Sequence, residues 1–177
     1  MPKPPKPYWP ADQVERRKLA ELVPYERNAR LHGDRQIELI ERAIEAYGFT
    51  VPLLVDERDG IVAGHARYEA ARRLGLLEVP VVVAKGWSDE KRRAYILLDN
   101  KLASLSTWDD GLLALELGEL KDAGVDLGLV GFDASELTSL LGDDGQPRTV
   151  EFQAFDESIP TEHKCPKCGY VWSGKSG

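Results

Sequence analysis

No cysteine precedes Cys165, and the two in the chain stand together as Cys165-Pro166-Lys167-Cys168. A disulfide framework needs more pairs, spread along the chain. The fold therefore rests on an apolar core, and the expected compartment is the reducing cytoplasm. Long hydrophobic runs are missing as well: nothing approaches the roughly 20 apolar residues of a membrane helix, which excludes a helical membrane span. The opening Met1-Pro2-Lys3-Pro4-Pro5-Lys6-Pro7 is basic and proline-rich, with no apolar stretch behind it to make a secretory signal. Positive charge is short overall. The net charge is −7, divided as +1 over residues 1–100 and −8 over residues 101–177. No broad basic face for duplex DNA is visible. The clusters Arg16-Arg17-Lys18, Arg72-Arg73 and Lys91-Arg92-Arg93 read as solvated faces unless the fold gathers them on one side.

What is present is a globular composition, 42% hydrophobic and 30% charged over 177 residues, enough for one domain with extensions. The most informative stretch runs from Asp59-Gly60 through Ile61-Val62-Ala63 to Gly64-His65-Ala66-Arg67. The apolar triplet predicts a strand. Gly64 breaks it, and Ala66, Ala70, Ala71 and Leu74 then recur at helical spacing up to Gly75. A strand, a glycine and a helix start form an anion trap: the glycine admits a ligand to the backbone, and the first helical N–H groups have no internal partner. Arg67 can add a forked charged donor. The same residues also suit an ordinary strand-to-helix turn with a solvated arginine.

In order along the chain, residues 1–13 form a proline-rich arm and 14–87 an α/β unit. That unit is expected to hold a first strand within Val14–Leu22, a loop at Pro24–Arg30, and a helix capped by Asp34 and stopped by Gly48. Ile37, Ile40, Ala43, Ile44 and Tyr47 mark the buried face of this helix. Val51–Val55 and Ile61–Ala63 are expected to pair as a hairpin, with a further strand at Val79–Ala84. Residues 88–141 read as a helical extension packed on the α/β unit. Ser88 caps a helix reaching Asp99-Asn100-Lys101 through Ala94, Ile96, Leu97 and Leu98; a leucine-rich helix follows at Leu112–Leu120, and Asp133–Glu136 forms a capping box for a third. Residues 142–162 read as an acidic linker and 163–177 as a tail.

Taken together, Pro24-Tyr25 with Asn28-Ala29-Arg30, Gln36-Ile37, Gly48-Phe49 with Pro52-Leu53, Gly64-His65-Ala66-Arg67 with Ala70-Ala71, Val79-Pro80-Val81, Asp99-Asn100-Lys101 and Ser106-x-Trp108-Asp109 resemble the ParB/sulfiredoxin-like N-terminal domain family. The resemblance covers roughly Leu19–Leu141 and is nearest to short versions found in phages and mobile elements, often encoded beside DNA methyltransferases. It implies a small mixed sheet with helices and a nucleoside triphosphate, CTP or ATP, held with Mg²⁺. Gly64, His65, Ala66 and Arg67 match the phosphate box. Arg30 matches a loop arginine that reaches the same phosphates, with Ala29 in place of the usual proline. Thr50 and Pro52 match the base-pocket loop. Asp99 and Asn100 match an acidic residue and asparagine beside the metal, where oxygen ligands suit Mg²⁺; a polar helix exit is the other reading of that pair.

His65 stands where sulfiredoxin-like relatives keep their cysteine or its neighbour. The absence of cysteine before Cys165 rules out that thiol chemistry. His65 can act on a proton or orient a phosphate, or it can cap or pack the helix start. The family's second arginine is missing, with Ala66 in its place. Nothing beyond Asp99 looks long enough for a helix-turn-helix array, and no methyltransferase motif occurs. Tyr68 and Trp108 read as packing residues.

The implied activities are slow triphosphate hydrolysis, DNA nicking or phosphoryl transfer, with Asp99, Asn100 and His65 as the catalytic candidates. The implied partners are DNA, reached indirectly or in a nucleotide-dependent way, and a DNA methyltransferase or a phage packaging protein; a homodimer is also considered. The alternative is a non-catalytic adaptor or DNA-binding module that partners a methyltransferase. In the tail, Cys165 and Cys168 with His163 resemble a partial zinc knuckle, short of the four ligands of a closed site.

Overall fold

The computed structural model describes residues 10–142 and the two-residue strands at 163–164 and 171–172. Four strands form one sheet: β1 (Glu15–Lys18), β2 (Leu53–Val55), β3 (Ile61–Ala63) and β4 (Glu78–Val83). Their order is β1-β4-β2-β3, with β4 and β2 parallel and both outer pairs antiparallel. The expected hairpin of β2 and β3 is present, with a register shift between Leu54 and Val55. Asp56 makes its turn. The carboxylate accepts the N–H groups of Arg58 and Gly60, both at 2.8 Å, and pairs with Arg92.

Alternation along the strands explains the core. Leu53 and Val55 of β2, and Val79, Val81 and Val83 of β4, turn inward and pack with Leu19, Leu22, Ile61 and Ala71. Each large side chain buried there contributes about 1.5–3 kcal/mol relative to exposure. Tyr68 packs against this cluster, as its sequence context suggests. Two helices flank the parallel connection: α1 (Asp34–Tyr47) and α2 (His65–Arg73). Ile37, Ile40 and Ile44 of α1 meet Ala66 and Ala70 of α2, whose small side chains allow the close approach.

Two details of α1 differ from expectation. Gly33, not Asp34, occupies the cap position, and no side chain caps the helix. Asp34 instead accepts from Arg73 of α2 at 2.6 Å. Tyr47 lies off the buried face and is 61% exposed. Gly48, at φ +77°, ends the helix as its lack of a Cβ allows.

α3 (Asp89–Leu102) starts at Ser88, whose hydroxyl accepts the Lys91 N–H. It buries Ile96, while Leu97, Leu98 and Leu102 face outward, so the apolar line expected through Leu97 and Leu98 is not the packed one. α4 (Asp110–Asp122) begins ahead of the expected Leu112 and is capped by Asp109. α5 (Ala134–Leu141) carries the full capping box of Asp133 and Glu136. Arg42 of α1 ties the α4–α5 region down through Asp126 at 3.0 Å, and Arg35 through Asp133 at 3.4 Å. The basic clusters are largely matched internally. Arg72 and Arg73 pair with Glu69, Arg17 with Glu15 and Asp59, Lys18 with Glu21, and Arg92 with Asp56 and Asp89. Two short strands, β5 (His163–Lys164) and β6 (Val171–Trp172), pair antiparallel. Cys165 and Cys168 lie outside the described residues. Among those residues, no helix is long and apolar enough to cross a membrane.

Candidate functional site

Where β3 ends, the chain needs a left-handed residue to enter α2, and Gly64 supplies it at φ 97°, ψ 26°. The position is closed to any side chain: a Cβ there would come within 2.6 Å of Leu53 Cδ2 and 3.0 Å of Arg67 Nη2. No side chain caps α2, so its first N–H groups remain available to a ligand. They open on a cavity of about 390 Å³. Ile40, Ala43, Ile44, Val62 and Ala66 make its apolar wall, and Arg30, His32, Arg67, Asp99 and Asn100 its polar rim.

Arg67 is half-buried, not solvated. Its Nη1 donates to the Pro52 carbonyl at 2.7 Å and also to that of Val51. Burial lowers its pKa, and the facing Asp99 carboxylate opposes that shift. Arg30 arrives from the other side on the Pro24–Arg30 loop. The Asn28 side chain closes a turn on the Arg30 backbone, and Arg30 Nη1 donates to the Asn100 carbonyl of α3 at 2.7 Å. Two guanidinium groups thus border one small cavity beside an uncapped helix start, an arrangement suited to an anion.

The metal candidates divide by chemistry. Asp99 is exposed on the rim, whereas the Asn100 amide N–H₂ donates back to Ile96 O at 2.9 Å and leaves its oxygen as the free ligand atom. No group of three or more His, Cys, Asp or Glu that could hold a metal occurs among the described residues. One carboxylate and one amide oxygen fit Mg²⁺, which keeps several waters and takes other ligands from phosphates. They do not make a self-sufficient metal cage.

His65 does not cap α2, because Gly64 holds that position. Its Nε2 accepts the backbone N–H of Tyr25 at 3.2 Å. That bond requires the neutral tautomer with its proton on Nδ1. Burial, helped by the charge of nearby His32, lowers its pKa and favours the same neutral form.

The structure thus brings Arg30, Thr50, Gly64, His65, Ala66, Arg67, Asp99 and Asn100 around one cavity. Pro52 does not line it. It lies in a neighbouring cavity of about 470 Å³, walled by Leu54, Val82, Trp87 and Tyr95, with Arg67 and Asp99 on the boundary between the two. His32, joined to Gln36 at 3.0 Å, is a rim residue that the sequence motifs do not contain; Gln36 and Phe49 belong to the motifs and also line the cavity, without a site role assigned from sequence. A histidine just before a helix start is the available signal for His32. Trp108 is 70% exposed and touches Phe132, so it is not a core residue.

Two family models match this chain in succession. The ParB-methyltransferase HTH domain model matches residues 111–167. The sequence beyond Asp99 looks too short for a helix-turn-helix array, yet this helix-turn-helix model covers α5 and all but the first residue of α4. The "ParB-like nuclease domain-containing protein YnaK" of Escherichia coli is 43% identical over 77 residues, 44% of this chain and 88% of that protein. The "Probable chromosome 2-partitioning protein ParB" of Deinococcus radiodurans is 46% identical over 94 residues, 48% of this chain but only 31% of that protein. Among solved structures, the C-terminally truncated chromosome-partitioning protein ParB from Caulobacter crescentus, complexed with CTP-γ-S, superposes with a TM-score of 0.55. That match has 22% identity and covers 63% of this chain and 64% of that one. The ParB N-terminal domain model matches residues 6–101, more than half of the sequence, and the chain belongs to that family.

Proposed function

We propose that this ParB-family protein binds a nucleoside triphosphate, CTP or ATP, together with Mg²⁺, and acts in phage or plasmid DNA metabolism. The observation that carries the reading is the convergence of Arg30, Arg67 and the uncapped start of α2 on one apolar-walled cavity. The α2 N–H groups would take a phosphate oxygen, and Gly64 would let it approach. Arg30 and Arg67, now bonded to backbone carbonyls, would turn part of their donor sets to the ligand. Asp99 and the Asn100 side-chain oxygen would hold Mg²⁺, which would offset phosphate charge. The apolar wall from α1, with Thr50 above it, would face the rest of the nucleotide. That the Caulobacter ParB was solved with CTP-γ-S supports a triphosphate.

Slow hydrolysis or DNA nicking belongs to the same proposal, and the nuclease description of the Escherichia coli relative supports the second. Asp99 is then the general-base candidate, since the acceptor nitrogen of His65 is engaged. Calorimetry with CTP, ATP and GTP in the presence of Mg²⁺ tests the reading. Binding of at least one is expected, and no heat from any at millimolar nucleotide overturns it.

The match of residues 111–167 favours a second reading, in which the helical part contacts DNA or partners a DNA methyltransferase. DNA binding should show in a gel shift that weakens steeply with salt, with or without nucleotide. Co-purification with a co-expressed methyltransferase tests the partner.

A further inference from the structure

The Pro24–Arg30 loop has no regular structure, yet it presents Arg30 to the cavity. Its ties are few. At its base, Val23 donates to Asp59 O at 2.9 Å and accepts from Ile61 N–H at 2.8 Å. Inside the loop, Asn28 N–H donates to Tyr25 O at 3.1 Å, and the Asn28 side chain bonds both the N–H and the carbonyl of Arg30. The chain of contacts therefore runs from Tyr25 to Asn28 to Arg30, and then from Arg30 to Asn100 on α3. What anchors its first member to α2 is the Nε2 of His65, 40 positions away.

We infer that His65 is a positioning residue: its neutral imidazole latches Tyr25 to the start of α2 and thereby sets where Arg30 stands. The inference deepens the triphosphate reading by giving the box histidine a role in binding without contact to the ligand. The geometry favours the latch over direct chemistry. The lone pair that would take a proton or accept from a ligand already accepts the Tyr25 N–H, and the ring is half-buried. Loss of the latch leaves a backbone N–H without its partner and frees the loop on one side. Arg30 then spends less time in the position that closes on an anion.

The test uses the full chain with His65→Ala, His65→Gln and Arg30→Ala. Glutamine carries an acceptor oxygen at similar reach and does not titrate. Hydrogen exchange at the Tyr25 and Arg30 amides should rise roughly five- to tenfold in His65→Ala, the change expected when one net hydrogen bond is removed. It should return toward wild type in His65→Gln. CTP and ATP affinity with Mg²⁺ should fall by a similar factor in His65→Ala, and by no more when the substitution is made in the Arg30→Ala background. Unchanged exchange at both amides overturns the latch, and so does an affinity loss that adds fully to that of Arg30→Ala, because His65 would then touch the ligand itself. If exchange shifts as stated but the wild-type chain binds no nucleotide, the latch stands and the triphosphate reading falls.

Discussion

Arg30 reaches across 70 positions of sequence to donate to the carbonyl of Asn100 at 2.7 Å, closing the Pro24–Arg30 loop onto the last turns of α3. Sequence distance and chemistry meet here. An orphan carbonyl near a helix C-terminus needs a donor, and a guanidinium supplies one while keeping further N–H groups for another acceptor. The bond also joins two of the elements that line the cavity, the loop and α3.

Arg30→Ala should therefore act mainly on binding. The substitution removes a hydrogen bond to one neutral carbonyl from a half-buried residue, so stability should fall by about 0.5–1.5 kcal/mol. Triphosphate affinity should fall by roughly 10-fold or more, as for a hydrogen bond to a charged group. Thermal melts beside calorimetry measure both. A stability loss with unchanged affinity would make the Arg30–Asn100 bond purely structural.

Arg67 and Gly64 make the complementary pair. As a solvated side chain, Arg67 would be dispensable to the fold, but its bonds to the Val51 and Pro52 carbonyls give it a structural share. Arg67→Ala should cost about 1–2 kcal/mol in the nucleotide-free protein and weaken triphosphate binding by roughly 10- to 150-fold. Gly64→Ala should be worse for the fold, since the new Cβ meets Leu53 at 2.6 Å in a left-handed conformation. Melting of the two variants should rank Gly64→Ala below Arg67→Ala. The reverse order, with nucleotide affinity intact in Arg67→Ala, would remove Arg67 from the site.

His65 gives a pH signature. Its pKa in the folded chain lies below the unfolded value near 6.5, because burial and the charge of His32 disfavour the imidazolium. Below pH 6.5 the unfolded chain takes up the proton more readily than the folded one. This contribution to stability is therefore complete above pH 6.5 and declines as pH falls toward the folded pKa. Relative to His65→Gln, the wild-type melting temperature should drop on acidification through that window. Parallel curves for the two proteins would show that the ring is not held neutral.

Much of the fold is legible in residues whose local chemistry and tertiary role agree. Gly64 and Gly48 stop elements because only glycine is comfortable at their positive φ, and the Asp133–Glu136 capping box forms as its spacing implies. The alternating valines of β4 announce a buried strand. What escapes a sequence reading depends on partners distant along the chain. Asp34 has the chemistry of a cap, but Arg73 of α2 claims it. Leu97 and Leu98 are apolar enough for burial, but a leucine-rich helix does not say which face meets the sheet. Pro52 groups with Thr50 by nearness in sequence, yet the chain turns between them and places them on different cavities. Most pairs within the basic clusters are local, such as Glu69 with Arg72 and Arg73, but the tie of Arg92 to Asp56 spans 36 positions and has no local signal. The Arg30 and His65 ties are of the same long-range kind.

Asp99 offers the sharpest division between a metal-assisted site and a simple anion cleft. Its carboxylate lines the same cavity as Arg67, whose pKa burial lowers and the charge of Asp99 partly restores. Beside bound phosphates without a cation, that negative charge is repulsive. If Asp99 holds Mg²⁺ as proposed, the ion would offset that repulsion and the carboxylate would favour binding. Asp99→Asn keeps the shape and removes the charge. Triphosphate affinity measured with Mg²⁺ should then fall by about tenfold, whereas in EDTA it should stay level or rise slightly, since a like-charge repulsion has been relieved. Exposure of Asp99 on the rim argues for a small effect on the fold, so melting temperatures should barely move. Titrations of both proteins with and without Mg²⁺ measure the comparison. Equal losses in the two conditions would mean that Asp99 acts by holding Arg67 and not by meeting a metal, and the metal assignment of Asp99 and Asn100 would fall with it.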